Sequence, residues 1–128
     1  MDLLIDTHVF IWWEQNAAQL PPAIVDALSD SRTRVFVSAV SIWEIATKRR
    51  SGKLVFEGLL TEAIEAGGFT ELPIAARDAE RAGNLDWEHR DPFDRIIVAQ
   101  CLNHKLTLVT ADRIIRLRDD IPQLWARR

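Results

Sequence analysis

Cysteine is nearly absent from the chain: Cys101 stands alone, and tyrosine is missing altogether. A lone cysteine excludes an intramolecular disulfide and any multi-cysteine metal site, and points to a reducing, cytoplasmic setting. Long apolar runs are also missing. None approaches the ~20 residues that span a membrane, and an acid at position 2 does not suit a signal peptide. Basic charge is not in surplus either: 16 bases face 19 acids, for a net charge of −3. That balance argues against a nucleic-acid binder of the basic-patch kind. It leaves open a protein that gathers acids around a metal ion, because the ion inverts the local charge. Thirteen of the 16 bases are arginine, which suits bidentate phosphate contacts but is equally explained by a lineage preference. With five glycines, five prolines and no repeat or linker tract, residues 1–128 read as one domain.

Short apolar runs alternate with amphipathic stretches along the whole chain. Strands are predicted at Leu3–Ile5, Arg34–Ser38, Phe69–Leu72 and Leu106–Thr110, with a small last strand at Gln123–Trp125. Helices are predicted over Val9–Glu14, Pro21–Ser29, Ser41–Arg50, Glu57–Ala66, Ile74–Ala82, Pro92–Lys105 and Asp112–Leu117. This alternation implies an α/β fold, a three-layer α/β/α sandwich around a central parallel sheet of four to five strands. Ligands of such sheets bind outside the carboxyl ends of the strands.

Four acids fall on that edge by topology. Asp6 ends the first strand, and Asp112 lies two residues past the fourth. Glu44 and Asp94 lie near the starts of the helices that follow the second strand and precede the fourth. Each has a local explanation. Ser41-x-x-Glu44 has the pattern of a capping box, and Asp91-Pro92-Phe93-Asp94 that of a helix start with Asp91 as cap. Together they are harder to explain without a cation, since two carboxylates ~5 Å apart repel by about 3 kcal/mol at an effective dielectric near 20. Oxygen-only ligands select hard ions, Mg²⁺ or Mn²⁺.

Leu4-Ile-Asp-Thr-His8, Ser41-Ile-Trp-Glu-Ile-Ala46, Arg90-Asp-Pro-Phe-Asp-Arg-Ile-Ile-Val-Ala99 and Leu108-Val-Thr-Ala-Asp112 together resemble the PIN-domain ribonucleases. The likeness is strongest to the toxin half of VapBC toxin–antitoxin modules, and it covers essentially the whole chain. The resemblance implies an Mg²⁺- or Mn²⁺-dependent endoribonuclease that hydrolyses RNA with a metal-activated water. It implies Asp6 and Asp94 as principal metal ligands, with Glu44 and Asp112 completing the catalytic acids. Thr7, Ser41 and Thr110 match small polar positions beside the acids, and Asp91 is a cap first and an outer member of the site second. The family further implies a cognate antitoxin. The acid rim and the tryptophans near it, Trp12, Trp13 and Trp43, predict that an amphipathic helix of this partner lies in an apolar groove and sends a basic side chain toward the acids. The family also implies a homodimer.

Arg95, next to Asp94, either contacts substrate phosphate or faces solvent. Lys48-Arg49-Arg50 and Lys53 form the densest basic stretch, a solvated helix end that can also guide RNA. His8, His89 and His104 lack zinc spacing, and Cys101 sits mid-helix as a packing residue. A receiver or haloacid-type phosphatase lacks its paired acids here. The alternative of a different class is a non-catalytic PIN-fold module that binds RNA or protein.

Overall fold

The computed structural model describes residues 1–128. Five strands, β1 (Leu3–Ile5), β2 (Val35–Ser38), β3 (Thr70–Leu72), β4 (Thr107–Thr110) and β5 (Gln123–Trp125), form one sheet in the order β3-β2-β1-β4-β5. Every pairing is parallel. Between them run helices α1 (Thr7–Gln15), α2 (Pro22–Ser29), α3 (Ala39–Arg50), α4 (Leu60–Ala66), α5 (Ala76–Asn84) and α6 (Pro92–His104). None is long and apolar enough to cross a membrane.

Side chains alternate across a strand, so neighbours in β1 serve opposite layers. Leu3 and Ile5 join Val35, Val37 and Val109 against Val9 and Phe10 of α1, Ile24 and Leu28 of α2, and Ile64 of α4. Leu4 and Leu108 face the other way, against Ile97, Val98 and Cys101 of α6. The sheet is therefore covered on both faces, which is why its strands read as continuous apolar runs. Cys101 is packing material, and burial pushes its thiol up to about 12.

Several helix starts differ from the sequence reading, each for a local reason. α1 begins at Thr7 because Asp6 caps it, Oδ1 accepting from Val9 N at 2.9 Å. α3 begins at Ala39 because Ser38 caps it through Val40 N at 3.1 Å. Ser41 and Glu44 are therefore no capping box, and both are buried. The helix expected from Glu57 starts at Leu60, since Gly58 takes a left-handed φ of 85°. The helix expected over Ile74–Ala82 runs instead from Ala76 to Asn84. The helix expected over Asp112–Leu117 is a single 3-10 turn at Ile115–Leu117, begun by Asp112 Oδ1 accepting from Ile114 N and Ile115 N at 2.8 and 2.9 Å.

The topology decides where the site lies. From β1 the chain builds β2 and β3 to one side, then crosses through α5 and α6 to place β4 and β5 on the other. The carboxyl ends of β1 and β4 flank the point where strand order reverses, and such a point leaves an open crevice.

α6 ends at Lys105, which holds the left-handed cap conformation at φ 55° and is the one non-glycine residue with positive φ. A side chain with a Cβ is strained there, and glycine is not. Lys105→Gly is expected to raise stability by about 0.5–1 kcal/mol in urea denaturation, relief of strain outweighing the added freedom of the unfolded chain. An unchanged or lower value would show that no strain is held at this cap.

Candidate metal centre

Asp6 leaves β1 and is held on both oxygens. Oδ1 caps α1, while Oδ2 accepts the Thr110 hydroxyl at 2.6 Å and Ala111 N at 3.0 Å. Thr110 Oγ1 in turn accepts from Asp112 N at 3.0 Å. One carboxylate thus fastens the end of β1 to the end of β4. It is 3% exposed. Burial pushes the Asp6 carboxyl above the ordinary range, against the three hydrogen bonds that favour its charge.

Glu44 comes from the second turn of α3 and meets Thr7 of α1. Thr7 Oγ1 lies 2.7 Å from Glu44 Oε1 and 2.9 Å from Ser41 Oγ. The threonine has one proton, which goes to the carboxylate, and Ser41 supplies the other hydrogen of this pair. The second oxygen, Oε2, takes Lys48 Nζ at 2.6 Å.

Asp94 sits in the first turn of α6. Asp91 caps that helix, Oδ1 accepting from Phe93 N and Asp94 N at 2.9 and 3.2 Å. His89 Nε2 is 2.6 Å from Asp94 Oδ2. Burial, with the charges of Asp91 and Asp112 adding to it, pushes the Asp94 carboxyl up to about 7, and the His89 hydrogen bond opposes the rise.

These elements enclose a cleft of about 230 Å³ lined by Asp6, Thr7, His8, Glu44, Lys48, Asp91, Asp94 and Asp112, without one hydrophobic residue. The four acids singled out from sequence and the capping Asp91 share this cleft. Thr7 lines it, and Ser41 and Thr110 stand behind it as hydrogen-bond partners. The donor set suits a hard divalent cation. Ligand atoms of His89, Asp91 and Asp94 already lie within 4.8 Å of one another.

Arg95 lines neither the cleft nor open solvent, so neither of its two expected roles holds. Its guanidinium donates to Ala82 O, Leu85 O, Trp87 O and His89 O, each at 2.9 Å. Those donors are spent on α5 and the loop that follows it, and the loop in turn carries His89 to Asp94. His89 was missed as a site residue because its five-residue offset from Asp94 runs through a loop and has no regular period. Lys48 was missed as well, though its i,i+4 spacing from Glu44 was a readable signal. Trp12 and Trp13 are half-buried against the core cluster, Trp13 ring to ring with Phe69 at 5.7 Å. Trp43 is 59% exposed and meets Phe93 edge-on at 5.0 Å.

Two outcomes follow from this geometry. Arg95→Lys offers a point charge where a fork is needed and strands partly buried carbonyls, so urea denaturation is expected to show a loss of about 2 kcal/mol. Unchanged stability would remove the clamp. The second concerns Asp94 without metal. Its folded pKa is raised from 3.8 to about 7, so across that window the folded chain keeps a proton the unfolded chain has released. Stability contributed by this group therefore falls as pH rises through the window and is level above it. In EDTA, the excess of the Asp94→Asn melting temperature over wild type is expected to widen as pH rises from about 4 to about 7 and to stay level above that. A constant difference would place the charge strain elsewhere.

Residues 3–120 match the PIN domain family model. Ribonuclease VapC22 of Mycobacterium tuberculosis is 29% identical over 121 residues, 89% of either chain. Among solved structures, VapBC2 from Rickettsia felis, bound to a fragment of its promoter DNA, superposes with a TM-score of 0.69 at 12% identity, covering 97% of this chain and 98% of that one. A toxin–antitoxin complex from Klebsiella pneumoniae gives a TM-score of 0.64 at 20% identity, covering 93% and 94%. With the five-stranded parallel sheet and the acid cleft at its switch point, the chain belongs to the PIN domain family.

Proposed function

We propose that this protein is the toxin of a VapBC-type toxin–antitoxin module and acts as a divalent-metal-dependent endoribonuclease. The observation that carries the reading is the meeting of Asp6, Glu44, Asp91, Asp94 and Asp112 in one wholly polar cleft. The similarity to ribonuclease VapC22 supports it. When bound, Mg²⁺ or Mn²⁺ supplies water activated near neutral pH and neutralises charge on a phosphodiester.

The protein's own residues divide the remaining work. Asp6 and Asp94 hold the ion, with Glu44 and Asp112 beside them. Asp6 arrives pre-positioned, because three hydrogen bonds leave its carboxylate no freedom to lose on binding. Asp94 is oriented by His89, the arrangement by which an outer partner fixes a ligand's direction and basicity. Asp91, Thr7, Ser41 and Thr110 hold the acids in place from behind. Water is the nucleophile in this scheme, so the products carry 5′-phosphate and 3′-hydroxyl ends. The reading brings with it a cytoplasmic location, a cognate VapB-like antitoxin and a homodimer.

The test uses the purified chain and RNA. Cleavage is expected only with Mg²⁺ or Mn²⁺ and is expected to stop in EDTA. Asp94→Asn is expected to keep its fold and lose roughly 100-fold or more in rate, and Asp91→Asn much less. Equal cleavage by wild type and Asp94→Asn would end the metal-site reading. RNA binding without cleavage at saturating metal would favour a non-catalytic module.

A further inference from the structure

We propose that Lys48 is the second cation of this cleft, so that one chain binds a single divalent ion and the ammonium group meets the phosphate charge that a second ion would neutralise. The phosphate role rests on the ribonuclease reading; the ion count rests on the geometry.

Five carboxylates line the cleft, and Lys48 is the only lysine or arginine that does. Thr7 donates to Glu44 Oε1 and the Lys48 ammonium to Oε2, so Glu44, unlike Asp6 with its neutral donors, has its charge met within the chain. At 2.6 Å the lysine contact is a short, charge-assisted hydrogen bond. The Glu44 side of the cleft is therefore neutralised by the chain itself. The other side is not. The hydrogen bonds received by Asp91 and Asp112 fall on Oδ1, and that of Asp94 on Oδ2. Asp94 Oδ1 and Asp112 Oδ2 receive no hydrogen bond and remain for one ion next to Asp6.

Helix geometry selects this lysine from its neighbours. Lys48 lies one turn past Glu44 in the favoured acid-then-base order, so the pair shares a face of α3. Arg49, one residue on, turns away and donates to Phe56 O and Gly58 O, and Arg50 is exposed. The Lys48 side chain is 42% exposed, against 8% for Glu44. Its ammonium stands between a buried acid and solvent, within reach of an incoming anion. The site thus contains the cationic group that the sequence reading assigned to a partner protein.

Counting bound Mn²⁺ by electron paramagnetic resonance, as loss of the free-ion signal, tests this. One ion per chain is expected for wild type and for Lys48→Arg, and two for Lys48→Met, whose freed Glu44 admits the second. If Lys48→Met does not fold, Lys48→Gln takes its place in the same titration. RNA cleavage by wild type is expected to be first order in Mn²⁺, and by the methionine variant second order and at least ten times slower. Two ions in wild type, or one in the variant, overturns the role of Lys48. The count involves no RNA, so metal bound as expected with RNA left intact counts against the ribonuclease reading alone. Absence of bound metal from every form overturns both.

Discussion

The carboxylate of Asp6 is where three elements of the molecule are joined. It terminates β1, caps α1 and accepts from the strand end of β4, and it does so almost out of contact with water. A buried carboxylate is costly unless it is paired or hydrogen-bonded. The backbone N–H groups of Val9 and Ala111 and the Thr110 hydroxyl meet that need, and each comes from a segment whose position depends on the sheet. The reversal of strand order between β1 and β4 is what brings those donors together. Fold and site are in this sense one arrangement, because the crevice that parallel topology leaves open is the place where the acid is satisfied.

Around Asp6 the remaining acids are stabilised by two means. Asp91 and Asp112 are held by backbone N–H groups at the starts of helical turns, where the helix dipole also favours negative charge. Glu44 and Asp94 rely on side chains, Lys48 and His89. The first means uses groups that every helix start exposes, and it leaves one oxygen of each acid without a backbone donor. The second needs a specific residue from elsewhere in the chain. The rise of the Asp94 carboxyl to about 7 shows that compensation is incomplete there, with Asp91 and Asp112 adding their repulsion to the cost of burial. A cleft left short of positive charge is poised for a cation, and the same shortage is a cost to the metal-free fold, a trade of stability for function.

Arg95 supports the site from outside it. Carbonyls of Ala82 in α5 and of Leu85, Trp87 and His89 after it converge on its guanidinium, so the irregular stretch beyond the helix is nonetheless held in one shape. Trp87 adds a second anchor, its ring against that of His89 at 4.9 Å and under the Arg118 guanidinium at 4.8 Å. His89 reaches Asp94 because of this scaffold. A residue adjacent to a site acid thus serves the site through the backbone, and adjacency in sequence was a poor guide to the direction of its side chain.

The order of elements, the parallel sheet and the edge on which the acids gather were all legible from the chain. Apolar runs of three to five residues separated by helical periods admit few other topologies, and a strand-terminal Asp6 or a helix-starting Asp94 has its edge assigned by connectivity alone. Helix starts were less legible wherever two polar residues competed for one cap. Ser38 and Ser41 have the same local chemistry, and only the packing of α3, which buries Ser41 against Thr7, decided between them. The partners of the acids were least legible. Thr110 and Asp6 are 104 residues apart, and His89 reaches Asp94 through a loop shaped by Arg95. A sequence specifies residue types and local periods. Which lysine turns inward, which arginine is spent on carbonyls and which acid keeps a free oxygen are settled by distances across elements, and those exist only once the sheet has formed.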